Sequence, residues 1–392
     1  MTLTGENFVF LADGTPPTIV MGDVEVLAHS ESNCIELTGP QLGKVCTEVK
    51  VTLPEDAQSS GVYDISVKNP FEQTCSSIND PQYETISRPK LISVSKTQDC
   101  IEQGDQNYIL EGSSFYVSST GIYPDVVVGS TNATVVSATD CISLTGPAGG
   151  DICTTMEITL SQGSLTPDVH DITITNPSDA DCSIEESHSV EILPAPVLHS
   201  LESNMECLEQ GAQSVVLVGE DFFFAADGTH PTVTVEGVDQ SVLYGDDCVS
   251  LENGGELCSE IYVEMEENAY GPGSYQIQVT NQDPSQCSSG TEIFDIFAAP
   301  TLTDIAPLGV CLSHSDQMMT LNGTTFLGNL TTNNVPSLHI LGDTIDADNL
   351  SDCTSLDNNL EWSQCSGASF TLAQNSLPSG VHNLSLSNPS PT

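Results

Sequence analysis

Leu110-Glu111-Gly112-Ser113-Ser114-Phe115 decides the reading, because its pattern recurs three more times in the chain. The other copies are Leu3-Thr4-Gly5-Glu6-Asn7-Phe8, Leu217-Val218-Gly219-Glu220-Asp221-Phe222 and Leu321-Asn322-Gly323-Thr324-Thr325-Phe326, with glycines 107, 107 and 104 residues apart. About 60 residues downstream of each copy lies a second signature, such as Gly273-Ser274-Tyr275-Gln276-Ile277-Gln278-Val279-Thr280-Asn281. Its counterparts end at Asn69, Asn176 and Asn388. Apolar and polar residues alternate in these runs, and Gly, Pro and Asn bound them, which is the mark of half-buried strands. No comparable segment carries a helical period. The chain therefore reads as an all-β tandem array.

Arg88-Pro89, Pro194-Ala195-Pro196 and Ala299-Pro300 lie between copies. Proline lacks a ladder donor and stiffens the chain, so these are domain joints. The boundaries follow as residues 1–88, 89–194, 195–299 and 300–392. Repeats of about 107 residues with some seven short strands have the size of an immunoglobulin-like sandwich. The expected architecture is four such β-sandwiches, of which the first lacks its first strand and the last lacks its final one. Met1 falls inside a strand pattern, which suggests a window of a longer repetitive chain and accounts for the absence of signal-peptide regions.

Fifty-five acidic residues face six basic ones over 392 residues, a formal charge of −49. That balance excludes nucleic acid and an anionic membrane surface as partners, since both need clustered Lys and Arg. No run of 18 apolar residues is present to span a bilayer. Leu, Ile, Val and Phe make up about a quarter of the chain, enough for a folded core. The basic residues are Lys44, Lys50, Lys68, Arg88, Lys90 and Lys96, and none follows Lys96. From Thr97 onward, stability must come from packing, hydrogen bonds and covalent links. Salty surroundings or a protease-resistant, cation-binding exterior would suit such a surface.

The cysteines keep the same period. The two complete repeats carry Cys100, Cys141, Cys153 and Cys182, then Cys207, Cys248, Cys258 and Cys287. The first repeat shows Cys34, Cys46 and Cys75, and the last Cys311, Cys353 and Cys365. With no Cys-x-x-Cys motif and no Cys–His cluster, this points to disulfides and an oxidising compartment rather than to zinc. The middle two cysteines of each repeat flank a short polar loop and are expected to pair locally: Cys34–Cys46, Cys141–Cys153, Cys248–Cys258 and Cys353–Cys365. The outer ones admit two schemes. They close within a repeat (Cys100–Cys182, Cys207–Cys287), leaving Cys75 and Cys311 for missing chain or neighbouring subunits, or across the joints (Cys75–Cys100, Cys182–Cys207, Cys287–Cys311).

The Pro joint, the Leu-x-Gly-x-x-Phe strand and the late Gly-x-Tyr-x-Ile-x-Val-x-Asn strand resemble the IPT/TIG family of immunoglobulin-like domains over essentially the whole chain. The resemblance implies a β-sandwich of the kind found in bacterial surface proteins and animal receptor ectodomains. Four cysteines per repeat and a longer period depart from that family's pattern. The family is a scaffold rather than an activity.

Little in the sequence suggests chemistry. His29, His170, His188, His199, His230, His314, His339 and His382 do not recur at one repeat position and form no metal-binding motif. No nucleophile elbow or phosphate loop is present. Asp13-Gly14-Thr15 and Asp227-Gly228-Thr229 read as plain turns, with Ca2+ the one cation they suggest. Asp246-Asp247 occurs in one repeat only. Glycosylation sequons stand at Asn132, Asn322, Asn329, Asn349 and Asn383, four of them in the last repeat. Trp362 and Phe222-Phe223-Phe224 read as core or joint packing. These features lead to a non-enzymatic, cofactor-free structural segment of an extracellular filament, appendage or surface stalk, self-associating or continuing in a longer chain. An adhesin or receptor ectodomain is the alternative, and an accessory region of a secreted carbohydrate enzyme is a third reading.

Overall fold

A computed structural model describes residues 1–38, 43–70, 77, 80–177, 180, 182–184, 186–202, 205–208, 211–252, 254–283, 286–329, 331–356 and 361–389. The chain divides into two compact units, Met1–Leu193 and Pro194–Thr392. Strands dominate both, and no described helix is long and apolar enough to cross a membrane.

The second repeat shows the full pattern. An entry strand (Lys90–Val94), a bulged strand (Gln106–Val117), a central strand (Asp151–Leu160) and an outer strand (Thr131–Ser143) hydrogen-bond in that order. The outer strand is long enough to leave this face. Its first residues pair with Asp125–Val128, beyond which lie the Asn-signature strand (Asp168–Thr175), a closing strand (His188–Ile192) and the short Gln98–Asp99. All these pairings are antiparallel except that of the closing strand with Gln98–Asp99. This is the immunoglobulin-type division into two packed sheets. The third repeat has the same order, from Val197–Leu201 to the closing strand Ser288–Ile296 and Met205–Glu206.

In the first repeat the two faces are separate sheets. One is Thr2–Leu11, Gly43–Lys50 and Ser30–Glu36; the other is Val24–Leu27, Thr18–Met21, Gly61–Lys68 and Gln82–Thr85. The fourth repeat likewise has Thr301–Ala306, Gln317–Asn329, Trp362–Leu372 and Asn349–Ser355 on one face, with Asp343–Asp346, Ser337–Ile340 and Leu384–Ser387 on the other. Every described sheet draws its strands from a single repeat. Among the described residues the first repeat has no entry strand and the fourth no closing strand.

Each core is the sum of the inward positions of both faces. In the second repeat Leu110, Phe115, Met156 and Ile158 from one face meet Val126, Ile172, Ile174 and Val190 from the other. Burying such side chains stabilises by about 1.5–3 kcal/mol each. Here that term replaces the ion pairs that a chain without Lys or Arg after Lys96 lacks.

Polar burial is concentrated in the second repeat. Asp99 is 1% exposed beside the Lys96 ammonium at 3.1 Å, and Gln98 donates to the buried Glu191 carboxylate. Burial holds the Asp99 carboxyl above its ordinary range, against the opposing pull of Lys96 and of the Cys100 N–H. A carboxyl whose folded pKa is raised binds more protons folded than unfolded, so stability falls as pH rises from about 3.8 through the folded value. The Asp99→Asn variant is expected to lose that fall. Amide exchange of the second repeat at pH 4 and pH 7 checks it, and an unchanged pH dependence would contradict it.

Candidate functional site

The Leu-x-Gly-x-x-Phe signature is a bulge. Between Glu111 and Phe115 the bulged strand advances four residues while the central strand advances two, from Thr155 to Cys153. The same step recurs at Thr4/Phe8, Val218/Phe222 and Asn322/Phe326. The residue before each Phe turns to positive φ: Asn7 at 64°, Ser114 at 58°, Asp221 at 62° and Thr325 at 61°. The glycine is required by space. A Cβ on Gly112 would lie 2.1 Å from the Lys90 carbonyl oxygen and 2.5 Å from Phe115 Cζ. Gly219 and Gly323 meet Val197 O and Thr301 O in the same way.

The terminal Asn of the second signature holds this bulge. Asn176 Oδ1 accepts from Tyr116 N at 3.0 Å, and its Nδ2 donates to Ser114 O at 3.0 Å. Asn281 spans Phe223 N and Asp221 O at 2.9 Å each. Asn69 does the same for Val9 N and Asn7 O, and Asn388 for Leu327 N and Thr325 O. Strands of opposite sheets are thus tied by one carboxamide, which satisfies two backbone groups that the bulge takes out of the ladder.

The Phe of each bulge sits opposite a central-strand cysteine: Cys46, Cys153, Cys258 and Cys365. Those cysteines are buried and are disulfide-bonded to exposed partners directly opposite on the outer strand, namely Cys34, Cys141, Cys248 and Cys353. The residue before each outer cysteine is Asn or Asp at positive φ, from 53° to 55° (Asn33, Asp140, Asp247, Asp352), a conformation these side chains tolerate. The disulfide staples a hairpin within one sheet, and the asparagine clamps the two sheets together. Replacing Cys141 and Cys153 with Ala is expected to remove roughly 2–3 kcal/mol, the chain-entropy value for so short a loop. Calorimetry should then show a lowered transition for the second sandwich, with the other three unchanged.

Cys100 and Cys287 are also disulfide-bonded, while Cys182 and Cys311 are thiols, with Cys311 exposed. Cys100–Cys182, Cys182–Cys207 and Cys287–Cys311 are therefore not formed. Cys75 lies outside the described residues.

Hairpin tips also meet the preceding repeat within each unit. In the first unit, Ala148 N of the tip donates to Glu84 Oε2 at 3.0 Å. In the second, Phe297 packs with Leu327, Leu356 and Trp362. Phe222 and Phe223 are core residues.

The remaining positions carry little chemistry. Asp13 and Asp227 accept from Thr15 N and Thr229 N at 2.9 Å, bonds that lower both carboxyls below their ordinary range while closing plain turns. Asp246 accepts from Asp247 N at 2.8 Å. Cys248, Glu256 and Cys258 come close together, but both sulfurs are consumed by the disulfide. Asn132, Asn322, Asn349 and Asn383 are exposed. Asn329 is 4% exposed, and its Oδ1 accepts from Thr331 N and Thr332 N.

The histidines need one correction. His170 and His382 occupy the same repeat position, shared with Tyr63 and Tyr275. Each of these rings bonds the carbonyl four residues back, at Thr166, Pro378, Ser59 and Gly271 respectively. The common element is a ring with a polar tip rather than the imidazole, which hides it from a search for histidine alone.

No protein-family model and no curated protein matches the sequence. Among solved structures, the chain is similar over 97% of its length to the plexin A4 extracellular region, at 10% identity and a TM-score of 0.27, and spans 45% of that chain. An ICAM-5 ectodomain fragment aligns over 96% of this chain and 99% of its own, at 10% identity and a TM-score of 0.24. The SGBP-B protein of a Bacteroides ovatus mixed-linkage glucan utilization locus covers 95% and 86%, at 11% identity and a TM-score of 0.18. The immunoglobulin-like fold rests on the strand pairing itself.

Proposed function

We propose that residues 1–392 form a structural segment of an extracellular filament, appendage or surface stalk, built from IPT/TIG-type sandwiches and without catalysis or cofactor of its own. The observation that carries this reading is the hairpin disulfide at one place in all four repeats. Identical covalent staples serve durability along a chain, whereas a recognition site needs only one specialised repeat. Disulfides of this density fit an oxidising, extracellular setting. Self-association or continuation in a longer chain supplies the length. Negative-stain microscopy of non-reduced material tests the reading. In-line sandwiches should add about 35–40 Å each, from strands of about ten residues at 3.4 Å, and should assemble into fibres with a regular axial repeat.

The alternative is an adhesin or receptor ectodomain whose repeats space or form a ligand-binding module. It requires separate short rods in the same micrographs, and such rods would overturn the filament.

A further inference from the structure

We propose that Asn322 and Asn349 of the fourth repeat carry N-linked glycans, which together cover one uncharged sheet face. Both stand in Asn-x-Ser/Thr triplets, Asn322-Gly323-Thr324 and Asn349-Leu350-Ser351. The ladder brings the two to one face. Asn322 lies opposite Gly367, Gly367 opposite Ser351, and Asn349 opposite Ser369. The core residues Leu321, Ala368 and Leu350 alternate with these positions, so the asparagines stand on the solvent side. Two strand spacings and two residues separate them, about 12 Å, which is wider than a sugar ring.

This face differs from its counterparts. The same outward positions hold Glu48 and Lys50 in the first repeat and Glu111 and Glu157 in the second. In the third they hold Asp246, Glu260 and Glu264. On the matching three strands of the fourth repeat, no outward position is charged. Charge keeps a protein face hydrated and apart from its neighbours. In a chain of formal charge −49, the one face that lacks it has two glycan triplets instead.

Both carboxamides are available. Asn322 and Asn349 are exposed. The Thr303 and Ser369 hydroxyls donate to their main-chain carbonyls at 3.1 and 3.5 Å, and no described group bonds either side-chain amide. A Cβ on Gly367 would lie 2.2 Å from Ser351 Oγ, so the floor between the two triplets carries no side chain of its own. Asn329 is the contrast within the same repeat. Its triplet is Asn329-Leu330-Thr331, yet it is 4% exposed and its Oδ1 accepts from Thr331 N and Thr332 N.

In the transfer, Asn Nδ2 attacks C1 of an oligosaccharide activated by an isoprenoid-linked phosphate. The C1–N bond forms as the C1–O bond to phosphate breaks, the phosphate leaves with its electron pair, and one Nδ2 proton passes to a base. The attached sugars then set hydroxyls over Ser369 and Thr371, where other repeats use carboxylates. The proposal rests on the extracellular setting of the filament reading.

Reduced pepsin peptides of the native protein, sequenced by electron-transfer fragmentation that keeps sugars on the residue bearing them, provide the test. The expected result is glycan on Asn322 and Asn349, with Asn329 bare. Thr324→Ala and Ser351→Ala each break one triplet and keep its asparagine. Made in the source cell, each should lose the mass of one glycan, and the double variant should lose both. Amide exchange of Trp362–Leu372 should stay unchanged, which separates a lost acceptor from a lost fold. Bare Asn322 or Asn349 in the native protein would overturn the proposal. So would sugar on Asn329 at equal occupancy, or sugar on the Ser and Thr hydroxyls of this face in place of the asparagines. Bare asparagines in regular fibres would remove the glycans and leave the filament, whereas glycans on separate rods would do the reverse.

Discussion

Replacing Asn176 with Ala is expected to destabilise the second sandwich by about 3–5 kcal/mol, several times the effect of an ordinary surface change. Asn176 is 2% exposed, and its carboxamide is the partner of both Tyr116 N and Ser114 O. Alanine leaves an N–H and a carbonyl at the bulge without that partner, and an unsatisfied buried group costs about 1–3 kcal/mol. Asn176→Asp keeps the acceptor but sets a carboxylate oxygen against Ser114 O, so it should recover little. Asn132→Ala, exposed on the outer strand, is the control and should stay within about 0.5 kcal/mol. Native-state amide exchange of residues 106–117 and 151–160 measures the difference within the intact chain. A loss below about 1 kcal/mol would mean that the asparagine does not hold the two sheets.

Phe115→Ala is the second large effect, also about 3–5 kcal/mol for removal of a buried ring. The ring is fully buried, faces Cys153 across the ladder and covers Gly112. Its loss leaves a cavity that the clamped bulge cannot collapse to fill. Adding Gly112→Ala should worsen the variant rather than refill the space, because the new Cβ still meets Lys90 O at 2.1 Å. If the double variant proved more stable than Phe115→Ala alone, the glycine would not be there for lack of room.

Much of this was legible in the sequence, and the reason is repetition. A strand pattern seen once is ambiguous, but four copies of Leu-x-Gly-x-x-Phe at a fixed period identify an all-β array and mark its joints. The four hairpin cysteine pairs could be chosen because about a dozen residues with a polar centre separate each pair, which suits a tight hairpin. The bulge itself was hidden. Its positive-φ residue is Asn7, Ser114, Asp221 or Thr325, and no single residue type marks it. The clamp was hidden for another reason: its halves lie some 60 residues apart. The near-constant distance between signatures was the available clue. The buried Gln98–Glu191 pair left no trace because it depends on the closing strand of one repeat alone, and the local Asp99–Lys96 pair left none because it occurs in one repeat only.

The outer cysteines were not decidable from spacing. Both schemes offered plausible separations, and the thiols at Cys182 and Cys311 belong to neither scheme in full.

Non-reducing peptide mapping tests the central claim most directly. Trypsin finds no site after Lys96, so pepsin or a Glu-specific protease is needed. The account predicts four links, Cys34–Cys46, Cys141–Cys153, Cys248–Cys258 and Cys353–Cys365, in every preparation made without reductant. Alkylatable thiols at Cys46, Cys153, Cys258 and Cys365, or links from these to cysteines outside their own hairpins, would contradict it.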